Sequence, residues 1–260
     1  MTRALVLRTA GINCDRETCE ALTRAGAQVE VVHVRRLIAE PQRLEAHDLA
    51  VFPGGFSYGD DVAAGRVFGY EVRQHLAAAF QEFVAQGGFV LGVCNGFQVL
   101  VDTGLLESPE QRGAQRRFAL SNNVSGKFEC RWVTLRAERC AAEWLEPGTL
   151  LPVPVAHGEG RFVARDAAAL ASLERDGQIA LRYVGPDGGP AEYPDNPNGS
   201  QAGVAGVCDA TGRVLGLMPH PERNITPWHH PRWTRLAPRA EGEGLAFYKR
   251  LVSAASRAPV

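Results

Sequence analysis

Short apolar runs alternating with helical stretches that close on glycine constrain this chain more than any other feature. ALVLRT (Ala4–Thr9), VEVVHV (Val29–Val34) and DLAVFPGG (Asp48–Gly55) read as strands, and Cys14–Ala25 carries a helical pattern that stops at Gly26. Tyr70–Gln86 places Val72, Leu76, Phe80 and Phe83 at helical spacing; Gly87 and Gly88 end it, and Phe89–Val93 begins another strand. Strands that are apolar along their whole length need both faces covered. The pattern therefore predicts βαβ units around a parallel sheet.

After Gly104 the rhythm changes. Phe128–Leu135, Leu151–His157 and Ile179–Val184 read as strands, Asp166–Arg175 as a helix, and Glu243–Ala254 as a final helix. Gly185–Ser200 is dense in turn formers and reads as a surface loop, while Ala202–Cys208 and Arg213–Met218 can pair as a hairpin around DATG. The expectation is one domain over residues 1–260, with elaborated loops near 185–200 and 224–244.

The 28 Lys and Arg nearly balance 29 Asp and Glu, for a formal net charge of -1, so a broad attraction to nucleic acid has no support. No run is long enough to cross a bilayer, and the amino terminus lacks the apolar core of a secretory signal, which reads as a cytoplasmic protein. Six cysteines at 14, 19, 94, 130, 140 and 208 form no CxxC pair, and each reads by default as a reduced, buried small hydrophobe. His229 and His230 have no acid or cysteine set spaced around them, so no metal site is expected; they suit a packed surface loop. His33 reads as structural or surface-facing.

Cys94 departs from that default. In FVLGVCNGFQVL it stands between Gly92 and Gly96 where a strand gives way to a helix. Such a turn pushes the sulfur clear of the backbone, with the positive end of the helix dipole behind it, and turns the Asn95 N–H toward an oxyanion. A buried strand cysteine followed by an incidental glycine is the competing reading. GLMPHPER supplies a second element, because Pro219 and Pro221 hold His220 extended and place Glu222 on the same side. The imidazole can face Cys94 while the carboxylate holds its other nitrogen, the arrangement of nucleophile, base and orienter. PGGFSYGDD follows the third strand, where Gly54 and Gly55 can bring an exposed amide as a second oxyanion donor; a plain turn is the alternative.

Together PGGFSYGDD, GVCNGFQ, NNVSGKFECRW, HGEGRF, NPNGS and GLMPHPER resemble, in order and over nearly the whole chain, the class I glutamine amidotransferases. Within that class they resemble specifically the glutaminase subunits of phosphoribosylformylglycinamidine synthases. The resemblance implies a flavodoxin-like α/β fold with a mostly parallel central sheet covered by helices and an additional antiparallel region. It implies that Cys94, His220 and Glu222 hydrolyse glutamine through a thioester, that backbone amides of Gly55 and Asn95 form the oxyanion hole, and that Gln98 and Phe128 lie near bound glutamine. It further implies ammonia delivery to a separate, larger synthetase subunit, which uses ATP and magnesium to make formylglycinamidine ribonucleotide in purine biosynthesis. A small assembly subunit is implied too, with no cofactor on this chain and with HGEGRF as a partner-facing or glutamine-site loop. Two rivals remain at this stage: a cysteine hydrolase of related fold acting on another amide, and a non-catalytic scaffold in which Cys94 is dispensable.

Overall fold

The computed structural model describes residues 1–107, 116–185 and 187–256, so Pro186 of the turn-rich loop and the last four residues of the expected domain lie outside the described residues. The chain begins with β1 (Arg3–Arg8), α1 (Asp15–Arg24), β2 (Gln28–His33), α2 (Val34–Ala39) and β3 (Leu49–Phe52). It continues through α3 (Arg66–His75), α4 (Ala77–Ala85), β4 (Phe89–Val93) and α5 (Asn95–Thr103). Beyond these come β5 (Phe118–Asn122), β6 (Glu129–Ala137), β7 (Leu150–His157), β8 (Glu159–Ala164), α6 (Ala167–Arg175) and β9 (Ile179–Val184). β10 (Val204–Cys208), β11 (Val214–Leu217) and α7 (Glu243–Ala255) complete it.

Nine strands form one sheet in the order β2-β1-β3-β4-β11-β10-β9-β6-β7. From β2 to β11 the neighbours run parallel, and the first four follow the flavodoxin-like 2-1-3-4 order. Beyond β11 the pairing turns antiparallel, and the expected hairpin closes with Cys208 opposite Leu215. β3 and β4 are buried at every residue, as their unbroken apolar sequences require. Right-handed crossovers put α1 and α3–α5 on opposite faces, since the chain moves outward to β2 and then back across β1 to β3. α1 packs on α7, and α3 on α5.

Tyr70–Gln86 is not one helix. Leu76 sits at φ -126°, ψ 0° between α3 and α4, and α3 starts four residues earlier, at Arg66. The break lets Phe68 and Phe80 both pack against Phe52, with ring centroids 5.7 and 5.3 Å away. α3 can lie close to α5 because Gly69 has no side chain; a Cβ there would fall 2.6 Å from Asp102 Cβ. The structure adds two elements to the expected set: α2, capped by the His33 ring accepting from Arg35 N–H, and the separate β5–β8 ribbon. His230 does pack, its ring 4.9 Å from that of Trp132.

Candidate active site

Cys94 joins β4 to α5 at φ 51°, ψ -107°, a region that costs a non-glycine residue about 1–3 kcal/mol. The surroundings enforce this conformation. Cys94 N–H donates to Leu217 O at 2.8 Å, and its carbonyl accepts from Gln98 N–H at 3.1 Å. Gly96 lies so near β3 that a Cβ would meet Phe52 O at 1.9 Å, and a Cβ on Gly92 would meet Gly96 O at 2.6 Å. Both glycines are therefore steric requirements of the turn.

Parallel pairing sets Leu217 beside Val93, so β4 and β11 end level and their next residues leave from the same edge of the sheet. Cys94 follows one strand and the Met218–Glu222 turn follows the other. His220 Nδ1 lies 2.6 Å from Glu222 Oε1, and both residues are buried.

A third strand aligns this turn. β7 pairs only with β6 among the described residues, and Pro152 and Pro154 leave its outer edge poor in donors but supplied with carbonyls. Pro152 O accepts from Asn224 Nδ2 at 2.7 Å and Pro154 O from His220 N–H at 2.9 Å. Cys94 Sγ stands 3.8 Å from Ala156 O, the next carbonyl on that edge. One strand edge thus touches the thiol, the imidazole's backbone and the segment behind the carboxylate.

Burial pulls the proton affinity of His220 down, but the Glu222 carboxylate, then the sulfurs of Cys94 and Cys14, raise it well above the ordinary 6.5. Its Nε2 has no hydrogen-bond partner of ordinary geometry, although both thiols lie near enough to act on it. The site is arranged to hold an imidazolium beside a sulfur.

His157 does the opposite. Burial, followed by the charge of His220, pushes it down to about 3. Asn123 spends its amide hydrogens on Lys127 O and His157 O, so its Oδ1, 3.1 Å from His157 Nδ1, must accept. The network thereby assigns the proton to Nδ1 and leaves Nε2 a bare acceptor, without a protein partner, on a residue that lines the cavity. HGEGRF is not a loop: His157 ends β7 and Glu159–Phe162 lies in β8, and the tautomer depends on Asn123 and cannot be read locally.

A cavity of about 550 Å³ opens over Cys94, lined also by Gly55, Asp60, Gln98, Lys127, Phe128, His157 and Glu159. Gly55, at φ 146°, pairs with Ile12 through bonds made by its neighbours, which turns its own N–H away from that segment. Asn95 begins α5, where the first-turn amides have no helical acceptor. Gln98 lines the wall with its carboxamide engaged, accepting from Asn95 Nδ2 at 3.1 Å and donating to Glu159 O. Phe128 is 53% exposed and stacks on Phe56, with centroids 6.4 Å apart.

Cys14, which local sequence did not single out, stands beside His220. Cys14, His220 and Glu222 bring one donor atom each within 4.8 Å of one another. A soft cation would fit that spacing, but Glu222 already holds His220 Nδ1, and Arg223 Nη2 lies 3.0 Å from Cys14 Sγ. Metal ligation would have to displace both contacts.

Residues 1–253 match the CobB/CobQ-like glutamine amidotransferase domain. The chain belongs to this family. Similar proteins include the phosphoribosylformylglycinamidine synthase subunit PurQ of Dehalococcoides mccartyi, 41% identical over 96% of this chain and 96% of that one. The subunit of the same name from Methanococcus maripaludis is 40% identical over 89% of this amidotransferase and 85% of its own length. Among solved structures, that of PurLQS from Thermotoga maritima superposes with a TM-score of 0.71 at 31% identity, covering 98% of each chain. A Thermoplasma acidophilum protein described as a putative GMP synthase subunit shares the amidotransferase fold at a TM-score of 0.55 and 12% identity.

Proposed function

We propose that this chain is the glutamine-hydrolysing subunit of a phosphoribosylformylglycinamidine synthase, with Cys94 as nucleophile, His220 as acid and base, and Glu222 as the orienter of His220. The observation that carries the catalytic assignment is the strained Cys94 turn beside a buried, Glu222-bound imidazole whose Nε2 is free. The proposed unit is a single amidotransferase domain over residues 1–260.

The Cys94 thiolate attacks the side-chain carboxamide carbon of glutamine, and the carbonyl oxygen becomes an oxyanion facing the amides of Gly55 and Asn95. Collapse breaks the C–N bond as imidazolium His220 gives its proton to the departing nitrogen, leaving ammonia and a γ-glutamyl thioester. His220 then takes a proton from water, the resulting hydroxide attacks the thioester, and glutamate leaves with the thiolate–imidazolium pair restored. Each donor of the oxyanion hole is worth about 10²–10³ in turnover.

Substrate charge fits the cavity wall. Asp60 and Glu159 supply carboxylates for an α-ammonium and Lys127 an ammonium for an α-carboxylate, with Gln98 and Phe128 completing the glutamine site. Ammonia passes to a larger synthetase subunit that uses ATP and magnesium to form formylglycinamidine ribonucleotide, and a small subunit assists assembly. The complex works in the cytoplasm; no helix among the described residues is long and apolar enough to cross a membrane.

Glutamate release from glutamine, measured with and without the synthetase subunit, tests the reading. In the assembled complex Cys94→Ala should lower turnover by at least about 10³-fold. Absence of glutamine turnover in the wild-type complex, or turnover unchanged by Cys94→Ala, rejects it.

A further inference from the structure

We propose that Cys14, clamped by Arg223, is a positioning residue that holds the His220 imidazole from the β1 side so that it meets Cys94 in one orientation. The inference rests on His220 being the base. Cys14 lies on the loop between β1 and α1, where its N–H donates to Gly54 O at 3.2 Å and its carbonyl accepts from Thr18 Oγ1 at 2.7 Å. The backbone carrying the sulfur is thus fixed independently of His220.

The polarity of the sulfur follows from its partners. Burial raises the Cys14 pKa, which favours the thiol; its single proton is offered to Asn13 Oδ1 at 3.4 Å, while Arg223 Nη2 donates to the sulfur at 3.0 Å. What remains toward His220 is lone-pair density. A soft acceptor there favours a protonated ring and resists a flip that would aim carbon rather than nitrogen at Cys94. Gly54 closes the arrangement, since a Cβ at that position would fall 2.8 Å from His220 Cε1 and 3.1 Å from Cys14 Sγ. Arg223 is held in turn by Glu17, 3.2 Å from its Nε.

The titratable groups acting on the His220 site are Glu222 on its own turn, Cys94 after β4, Cys14 after β1 and His157 at the end of β7. Tyr248 on α7 and Arg223 act on Glu222 and Cys14 from further out. Among these, Cys14 can be changed without touching the attacking sulfur, the cavity lining or the carboxylate.

The test compares Cys14→Ala and Cys14→Ser with wild type in the complex with the synthetase subunit, recording kcat, KM for glutamine and the pH profile. Cys14→Ala should lower kcat about tenfold, leave KM within about twofold, and move the alkaline limb to lower pH by roughly half a unit. Cys14→Ser restores an acceptor and should recover most of kcat. If Cys14→Ala is too unstable, Cys14→Val fills the sulfur's volume without an acceptor, and the same limb is read. Wild-type kcat and limb position in the alanine or valine variant overturn the inference, as does an equal loss in alanine and serine variants with the limb unmoved. Cys94→Ala is measured alongside: activity surviving there removes the underlying triad, whereas an inactive Cys94→Ala with a normal Cys14→Ala removes only the role of Cys14.

Discussion

Gly54→Ala isolates the geometry of His220, the proposed base, from its chemistry. The added methyl would lie 2.8 Å from His220 Cε1, where carbon atoms in contact ordinarily sit about 3.5–4.0 Å apart, so something must yield by roughly 0.7–1.2 Å. Gly54 is not among the residues at positive φ, and alanine introduces no left-handed strain there. Its other neighbour, Cys14 Sγ at 3.1 Å, is held by Arg223. His220 has little freedom either, with its backbone N–H on Pro154 O and its ring Nδ1 on Glu222 Oε1. The ring is displaced from its place beside Glu222, and a misplacement of about 1 Å costs on the order of 10²-fold in rate, near 2.7 kcal/mol of barrier. Overpacking should also cost about 1–3 kcal/mol of stability. Because Gly54 does not line the cavity, KM for glutamine should stay within about threefold. The assay is glutamate release in the assembled complex, paired with urea unfolding of the chain. Turnover within about twofold of wild type in a folded variant would falsify the steric argument, and a rise in KM alone would shift the effect to substrate binding.

Glu222→Gln keeps an oxygen near His220 Nδ1 but removes the charge, and kcat should fall about 10–10³-fold with folding intact. Its second signature is in stability. Because the folded-state affinity of His220 is raised, its contribution is complete below the ordinary 6.5 and is lost as pH rises through the folded value; Glu222→Gln should flatten that alkaline decline in urea midpoints, and an unchanged slope refutes the coupling. His157 has the reverse sign: pushed to about 3, it adds stability above 6.5 that disappears as pH falls toward 3, at up to about 1.4 kcal/mol per unit. His157→Asn should therefore show a shallower acid decline than wild type; parallel acid profiles would mean that His157 is protonated in the native state.

The parallel half of the fold was legible because LAVF and FVLGV are buried on both faces and carry no polar interruption. The same apolar signal misled at Leu76, where helical spacing continues through a residue that is not helical, since both halves bury their apolar faces. β5 and β8 escaped because FALSN gains its meaning from a partner in which Phe118 meets Ala164, far along the chain. Cys94 and His220 announce themselves through the flanking glycines and prolines that their backbone geometry demands. Cys14 has no such flank. Its place beside His220 follows from β1 lying next to β3 in the sheet, a fact of strand order that no local window contains.

That strand order also explains how residues more than a hundred positions apart come to one edge of the sheet. β1, β3, β4 and β11 all end at the same edge and deliver Cys14, Gly54, Cys94 and His220 in turn, so relative positions are set by sheet register. Register fixes height but leaves the side-chain directions to the loops. The outer edge of β7 supplies that second constraint, because its carbonyls at Pro152, Pro154 and Ala156 recur at every second residue, the spacing with which a strand presents one edge. An extra residue between Pro154 and Ala156 would keep β4 and β11 paired yet turn the last of these carbonyls to the other side. Such an insertion should leave the parallel sheet folded and lower glutamine turnover; a fully active insertion variant would show that the β7 edge has no part in aligning Cys94 and His220.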